Sequence, residues 1–465
     1  METVPLTELV PALSALDGAV RAAAQVRPSP GRLVRVEVPA PPVCPLEWLA
    51  AQSGVTRYYW RDRAGLFENA GLGEADVASP ADGPETPSEL FAHLRRHLPE
   101  GPGEGRYYGG FRFQPGNGRP TQWQGFLGYR FVAPLLELHR KRGRTMLAAT
   151  LRADDRGGLR DAADAARAAL AAVGLAEAER PSPPRVLSRE DLPDRAHWEK
   201  MVDRALAAFD RGKLEKVVLA RETRFTTDRE LDPVAVLQRL ARSTRHSFCF
   251  CFHPARDRAF LGASPERLFR RTGRLLESEA VAGTCPRDPD PEADARLAEA
   301  LLASEKDRRE QELVTAALRA VFDRLCGAVE ADPEPGLLTL LHCRHLRTRI
   351  SGMLREDTDD GALLEAFHPT PAVGGTPRDR ALDWIAREEP FDRGLYAAPV
   401  GWVARDGLEF CVAIRSGLVR GDTLTVYNGA GVVPGSVPAE EWAEIETKMR
   451  NFLRVLRHDG QEHGA

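Results

Sequence analysis

The chain has 465 residues, 43% of them hydrophobic and 28% charged, with a formal net charge of −4 at pH 7. This is globular composition with length enough for a large core, and slight acidity with scattered basic residues excludes a nucleic-acid footprint. No apolar run reaches the roughly 18 residues of a membrane span, and the seven scattered cysteines point to reduced thiols in a cytoplasm rather than a disulfide framework.

Residues 1 to about 150 read as mixed, mostly β structure, with strands such as "RLVRVEVPA" and "TMLAATLRA" between the Gly-Pro-rich breaks "EGPGEGRYYGG" and "QPGNGRP". The N-terminal "METVPLTELVPALSAL" lacks the basic-then-apolar pattern of a secretory leader. "DAADAARAALAAVGLAEAE" reads as an Ala-rich helix, and the prolines of "RPSPPRVL" (180–187) as a linker. An amphipathic helix, "DRAHWEKMVDRALAAFDRG", follows and ends at Gly212. "KVVLARETRF", "SFCFCF" and "AFLGAS" are strands, and the first explanation of Cys249 and Cys251 is burial in the second of these. "RLAEALLASEKDRREQELVTAALRAVFDRLCG" is a helical pattern with a break around Ser304–Asp307. The last third has strands in "GLYAAPVGWV", "LEFCVAIRSGLV" and "TLTVYNGAGVV" before a final helix, "PAEEWAEIETKMRNFLRVL". No regular β-α-β rhythm appears, which favours an α+β fold.

Several residues have a plain reading and a chemical one. Lys216 opens a strand and by itself reads as a surface lysine; Glu266, past a Ser-Pro pair, reads as a turn residue. Glu310 shares a helix face with Leu313, Val314 and Ala317, where an unpaired carboxylate is costly and needs a cation. Glu441, Glu444 and Lys448 flank the stripe Trp442, Ile445, Met449, Phe452 and Leu456. An i,i+4 Glu–Lys pair accounts for Glu444 and Lys448, whereas two helices each bringing a carboxylate would make a hard-cation site. The Gly-rich "YNGAGVVPGS" matches no nucleotide fingerprint, though its backbone N–H groups offer themselves to a carboxylate. His342, Cys343 and His345 lack a matching cluster elsewhere, so strand alternation explains them better than zinc.

In order, "KVVLAR", "FLGASPERLF", "EAVAGTCPR", "SEKDRREQELV", "LRTRISG", "FHPTPAVGGTP", "GLYAAPVGWV", "FCVAIRSGLV", "YNGAGVVPGS" and "EWAEIETK" closely resemble the chorismate-utilising enzymes, which include isochorismate, salicylate, anthranilate and aminodeoxychorismate synthases. The N-terminal part is similar more loosely, through "RYYGGFRF", "WQGF" and "FVAPLLELHRKRG". The resemblance implies one large α+β domain of two stacked antiparallel β-sheets flanked by helices. In it, residues 1–185 form a divergent, mostly β N-terminal part, 190–457 the chorismate-binding catalytic region, and 458–465 a tail. It implies magnesium held by Glu310 and Glu444, with Asp307 and Glu441 behind them. It also implies a chorismate site lined by Gly283, Thr284, His345, Tyr396, Arg415, Gly429, Gly431 and Lys448, whose cations suit a substrate with two carboxylates.

The resemblance also implies a reaction. Lys216 falls where isochorismate and salicylate synthases carry a base, and Glu266 where the general acid lies. Ala282 stands where aminodeoxychorismate synthases carry a lysine. Water added at ring carbon 2 with loss of the carbon-4 hydroxyl gives isochorismate, and needs a base and an acid on opposite faces. Burial is expected to lower a lysine from about 10.4 and raise a glutamate from about 4.3. Isochorismate synthase is the leading expectation, on a menaquinone or siderophore route; salicylate synthase, an amine-forming relative and an inactive chorismate-binding relative are the alternatives. A monomer or weak dimer, with no nucleic-acid or membrane partner, is expected.

Overall fold

The structure, a computed structural model, describes residues 3–456 apart from 82, 100–104, 115–121, 179–181, 245 and 341–342. The 458–465 tail, His342, most of "QPGNGRP" and part of the Pro-rich stretch lie outside the described residues.

Two sheets organise the chain. A twelve-stranded sheet runs from Leu33–Ala40 through Arg144–Arg152, Leu136–Lys141, Phe67–Leu72 and Arg57–Arg61 to Phe248–Ala255, Arg258–Ser264, Ser416–Arg420, Thr423–Val432, Lys216–Thr227 and Gly375–Thr376; Val186–Leu192 also pairs with Lys216–Thr227. A ten-stranded sheet runs from Cys326–Ala331 through Cys343–Leu354, Leu275–Pro286, Arg267–Thr272, Gly407–Val412, Pro399–Ala404, Arg106–Phe111 and Tyr129–Ala133 to Asp76–Ala78, with Gly336–Thr339 on Cys343–Leu354. The pairings are antiparallel. Strands from either side of the Pro-rich stretch contribute to both sheets, so the protein is one α+β domain of two antiparallel sheets with helices.

Alternation places the core on both faces of the longer sheet. In Phe248–Ala255, Phe248, Phe250 and Phe252 join the core shared with the second sheet, while Cys249 and Cys251 face an outer core. Helices Val10–Ala23, Arg160–Ala171, Pro233–Arg242 and Pro438–Val455 cover that outer face with Leu16, Leu170, Leu237 and Phe452. The cysteines are free thiols.

Several elements depart from the sequence expectations. The Ala-rich helix stops at Ala171, because Gln52 grips the backbone N–H and carbonyl of Gly174 at 2.9 and 3.0 Å and takes the chain out of the helical path. "LEFCVAIRSGLV" is two strands, Gly407–Val412 and Ser416–Arg420, one in each sheet. "GLYAAPVGWV" is extended only from Pro399; Gly394 (φ +54°) and Ala397 (φ +60°) coil the part holding Tyr396. By contrast, the strand expected in "TLTVYNGAGVV" is present as Thr423–Val432, with Gly429 opposite Ala220 and Gly431 opposite Val218. The expected helix break is present, Ser304 capping Glu305–Leu325 through its hydroxyl.

Candidate active site

Lys216 begins the strand Lys216–Thr227, whose free edge is finished unusually. Gly375–Thr376 pairs with only its first two residues. Beyond them a buried ion pair takes over the ladder: Arg393 donates to the Val218 carbonyl at 2.7 Å and Glu389 accepts from the Ala220 N–H at 2.8 Å. The strand is thereby fixed where Lys216 enters the cleft. Lys216 shares a face with Val218 and Ala220, and its Nζ lies 3.7 Å from Glu310. Gly431 leaves the space it crosses, since a Cβ there would sit 3.2 Å from the Lys216 Cε.

Glu266 occupies the point where the chain leaves one sheet for the other, between Arg258–Ser264 and Arg267–Thr272. A second crossover, Val412 to Ser416, lies beside it. The Ser264 hydroxyl donates to the Val412 carbonyl at 2.6 Å, and the Val412 N–H donates to the Glu266 carbonyl at 3.1 Å. So the Ser-Pro pair is part of a braced sheet-to-sheet passage that holds Glu266 in place. Glu266 keeps some solvent contact but lies deep between the sheets; burial first, then the Glu279 carboxylate, push it up to about 7 against the pull of Lys216 and Lys448.

The second crossover carries Arg415, at φ +51°. Its guanidinium donates to the Lys448 carbonyl at 2.8 Å and, among the described residues, has no carboxylate within 4 Å; burial lowers its pKa. Lys448 donates to the Gly429 carbonyl at 3.0 Å and pairs with Glu444 at 2.5 Å. Tyr396 stacks on Tyr427 at 5.4 Å, and burial raises its hydroxyl to about 12, so it remains a neutral hydrogen-bonding group. A Cβ on Gly429 would come within 3.0 Å of that hydroxyl and 2.9 Å of the Leu219 carbonyl.

On the neighbouring sheet, His345 Nδ1 lies 3.1 Å from the Gly283 carbonyl and 2.9 Å from the Thr284 hydroxyl. A carbonyl only accepts, so Nδ1 carries the proton; burial, with the Arg415 and Lys448 charges, lowers this histidine to about 4 and keeps it neutral. Gly283 (φ +66°) abuts Asp307: a Cβ would meet the Asp307 Cβ at 3.0 Å. Asp307 also accepts from the Ser304 hydroxyl.

One expectation about Glu310 is corrected. The buried stripe of its helix is Gln311, Val314, Leu318 and Phe322, whereas Leu313 is 69% exposed and Glu310 itself faces the cleft with 46% exposure. Glu310 therefore needs no cation to offset burial. Glu444 is similarly open, at 49%, above the buried Ile445, Met449 and Phe452, and the half-buried Glu441 lies one turn before it. Among the described residues no three His, Cys, Asp or Glu side chains converge as a ready-made cage. Two open carboxylates, each now beside a lysine, nonetheless suit magnesium, which takes one or two protein carboxylates and completes its shell with water and substrate oxygens.

The sequence profile of chorismate-binding enzymes matches residues 19–457. The chain belongs to the chorismate-binding enzyme family. Isochorismate synthase MenF of Escherichia coli (strain K12) is 33% identical over 459 residues, 96% of this chain and 98% of that protein. The solved structure of that menaquinone-specific isochorismate synthase superposes with a TM-score of 0.85 at 30% identity, covering 97% of this chain and 100% of the other. The chloroplastic isochorismate synthase of Catharanthus roseus is 35% identical over 360 residues, 76% of this chain; the match spans only 62% of that longer protein. No helix of the described residues is long and apolar enough to cross a membrane.

Membership also bears on a cavity of about 710 Å³ away from these residues, lined by Gln122, Glu222, Arg224, Phe391, Arg420 and Thr425 among others. None of the candidate chorismate-site residues lines it. Its buried carboxylate, Glu222, is already held by Arg224 at 2.5 Å and Gln122 at 2.6 Å. Sequence reasoning missed Arg393, Glu389, Arg63 and Glu279, all of them buried or nearly so, because each acts through a partner on another element. The only local cue was the i,i+4 spacing of Glu389 and Arg393.

Proposed function

We propose that this protein converts chorismate to isochorismate in a magnesium-dependent reaction. The carrying observation is that one cleft holds Lys216, on a braced strand, and Glu266, a carboxyl pushed up to about 7, among the cations Arg415 and Lys448. Lys216 takes a proton from the water that adds at ring carbon 2. Glu266 gives its proton to the departing carbon-4 hydroxyl, which leaves as water, so one water enters and one is released. Arg415 and Lys448 hold the substrate's carboxylates, and Tyr396 and His345 shape the neutral wall. Glu310 and Glu444 would hold the magnesium, which when bound neutralises a substrate carboxylate and orients it.

The likeness along nearly the full chain to a menaquinone-specific isochorismate synthase supports menaquinone synthesis as the destination of the product. Five buried free thiols support a reducing, cytoplasmic setting. The test is chromatography of a chorismate incubation without ammonia, where isochorismate is the expected product. Pyruvate with salicylate would move the reading to salicylate synthase, and anthranilate formed only with ammonium would move it to the amine-forming branch.

A further inference from the structure

Glu266 is aimed by a passage that another pair braces from outside. Arg63 sits in the turn between Arg57–Arg61 and Phe67–Leu72, a hairpin of the twelve-stranded sheet. Its guanidinium reaches across to the ten-stranded sheet and takes both oxygens of Glu279, one at 2.8 Å. The same guanidinium donates to the Pro265 carbonyl at 2.9 Å, one residue before Glu266. The Glu279 side chain is 2% exposed and that of Arg63 12%, and the Arg63 guanidinium lies 5.7 Å from the Phe248 ring centroid. A fork that grips a carboxylate with two N–H groups and a backbone carbonyl with one of the same groups leaves little freedom to the turn between them.

We infer that the buried Arg63–Glu279 pair is the positioning element for Glu266: it braces the turn that carries the acid and sets one negative charge beside it. The inference rests on the reading of Glu266 as general acid. Both effects serve that role. A carboxyl that must donate at neutral pH has to keep its proton, and a fixed like charge makes its loss costly. Arg63 is what allows that charge to be buried, since a buried carboxylate without a partner is costly.

The groups facing Glu266 come from five elements. Lys216 of the sheet strand and Lys448 of the last helix favour its ionised form, and Glu279 opposes it. Tyr396 and Cys411, whose ionisation is held off by burial, add no charge. Arg267, next in the chain, is engaged with Glu409 at 3.0–3.1 Å. Glu279 is therefore the one anion in this set that favours the protonated acid.

The experiment follows the Glu266 carboxyl by ¹³C NMR in metal-free protein, assigned by its loss in Glu266→Gln, alongside the pH profile of kcat. In the wild type the carboxyl is expected to titrate at about 7. In Glu279→Gln it moves down by roughly one pH unit, leaving about tenfold less protonated acid above neutrality. The alkaline limb of kcat moves with it while KM for chorismate changes little. Glu279→Asp, which keeps the charge, restores most of the wild-type profile. Should the lone uncharged Gln leave Arg63 too poorly paired to fold, the double variant Arg63→Met/Glu279→Gln removes both charges at similar volume, with the same downward movement expected. A wild-type Glu266 titrating near an ordinary carboxylate, or one unmoved in either variant, overturns the inference. The titration needs no turnover. A chain making another product would leave this inference standing, whereas an isochorismate synthase whose Glu266 ignores Glu279 would lose only this inference.

Discussion

Replacing Glu266 by Gln substitutes the neutral shape of the protonated acid for a carboxyl that burial makes reluctant to ionise. Burial pushes it up to about 7 in the folded protein against an ordinary 4.5, a difference worth about 3 kcal/mol. The folded value is the raised one. The favourable contribution of the protonated group is therefore complete below the unfolded value and is lost as pH rises through about 7. A Gln cannot ionise, so it escapes that loss. Glu266→Gln should differ little in stability from the wild type at low pH and exceed it by up to about 3 kcal/mol above about pH 8, while turnover falls by roughly 10²–10⁴-fold as expected for a lost positioned acid. For a chain of 465 residues the unfolding entropy is about 1 kcal/mol per degree, so the gain reads as roughly 3 °C in Tm. The assay is calorimetric Tm of both proteins from about pH 5 to about pH 8.5, with chorismate turnover measured on the same samples. A difference that is constant with pH, or a Gln variant less stable at the alkaline end, would refute the claim that Glu266 is held against ionisation.

Three expectations concern the rest of the site. Glu310→Gln and Glu444→Gln should each abolish turnover without lowering Tm, because both carboxylates are open to the cleft, and chelation with EDTA should do the same to the wild type; undiminished activity in EDTA removes the magnesium assignment. Lys216→Ala should lose roughly 10²–10⁴-fold in kcat with chorismate still bound, as measured by calorimetric titration; a variant that only binds more weakly marks Lys216 as a carboxylate anchor instead. Arg415→Gln should show the opposite split, a raised Kd for chorismate from loss of a charge-assisted contact.

The sequence showed most where chemistry and periodicity are local. Phe-Cys-Phe-Cys-Phe announces a strand buried on both faces, and the structure places the two residue types in separate cores. Gly212 and Ser304 stand at the helix boundaries expected of them. The failures come from elements whose meaning depends on distant partners. Counting three and four residues from Glu310 placed it on an apolar stripe, but the apolar residues of that segment are divided, and tertiary packing chose the face through Val314 and Phe322. The strand through "YNGAGVV" was legible, but not what its glycines are for: they leave room for Lys216 and for Tyr396, which come from other elements. Arg63 and Glu279 are 216 positions apart, and nothing near either residue announces the other.

Arg415 shows why the two sheet crossovers form the centre of the site. At φ +51° its backbone is in the left-handed region, which costs a non-glycine residue roughly 1–2 kcal/mol that glycine would avoid. What an arginine supplies there, and glycine would not, is its side chain. The surroundings hold the conformation: the Arg415 carbonyl accepts from the Ala263 N–H at 3.0 Å, and its guanidinium is fastened to the Lys448 carbonyl. The first of these hydrogen bonds comes from the strand leading into Glu266. A shift of either crossover is therefore transmitted to the other, so Glu266 and Arg415 keep their spacing. Under the proposed function these two groups meet opposite parts of one small substrate and gain from sharing a single braced support, because a displacement of about 1 Å in such a pair is enough to cost roughly a hundredfold in rate.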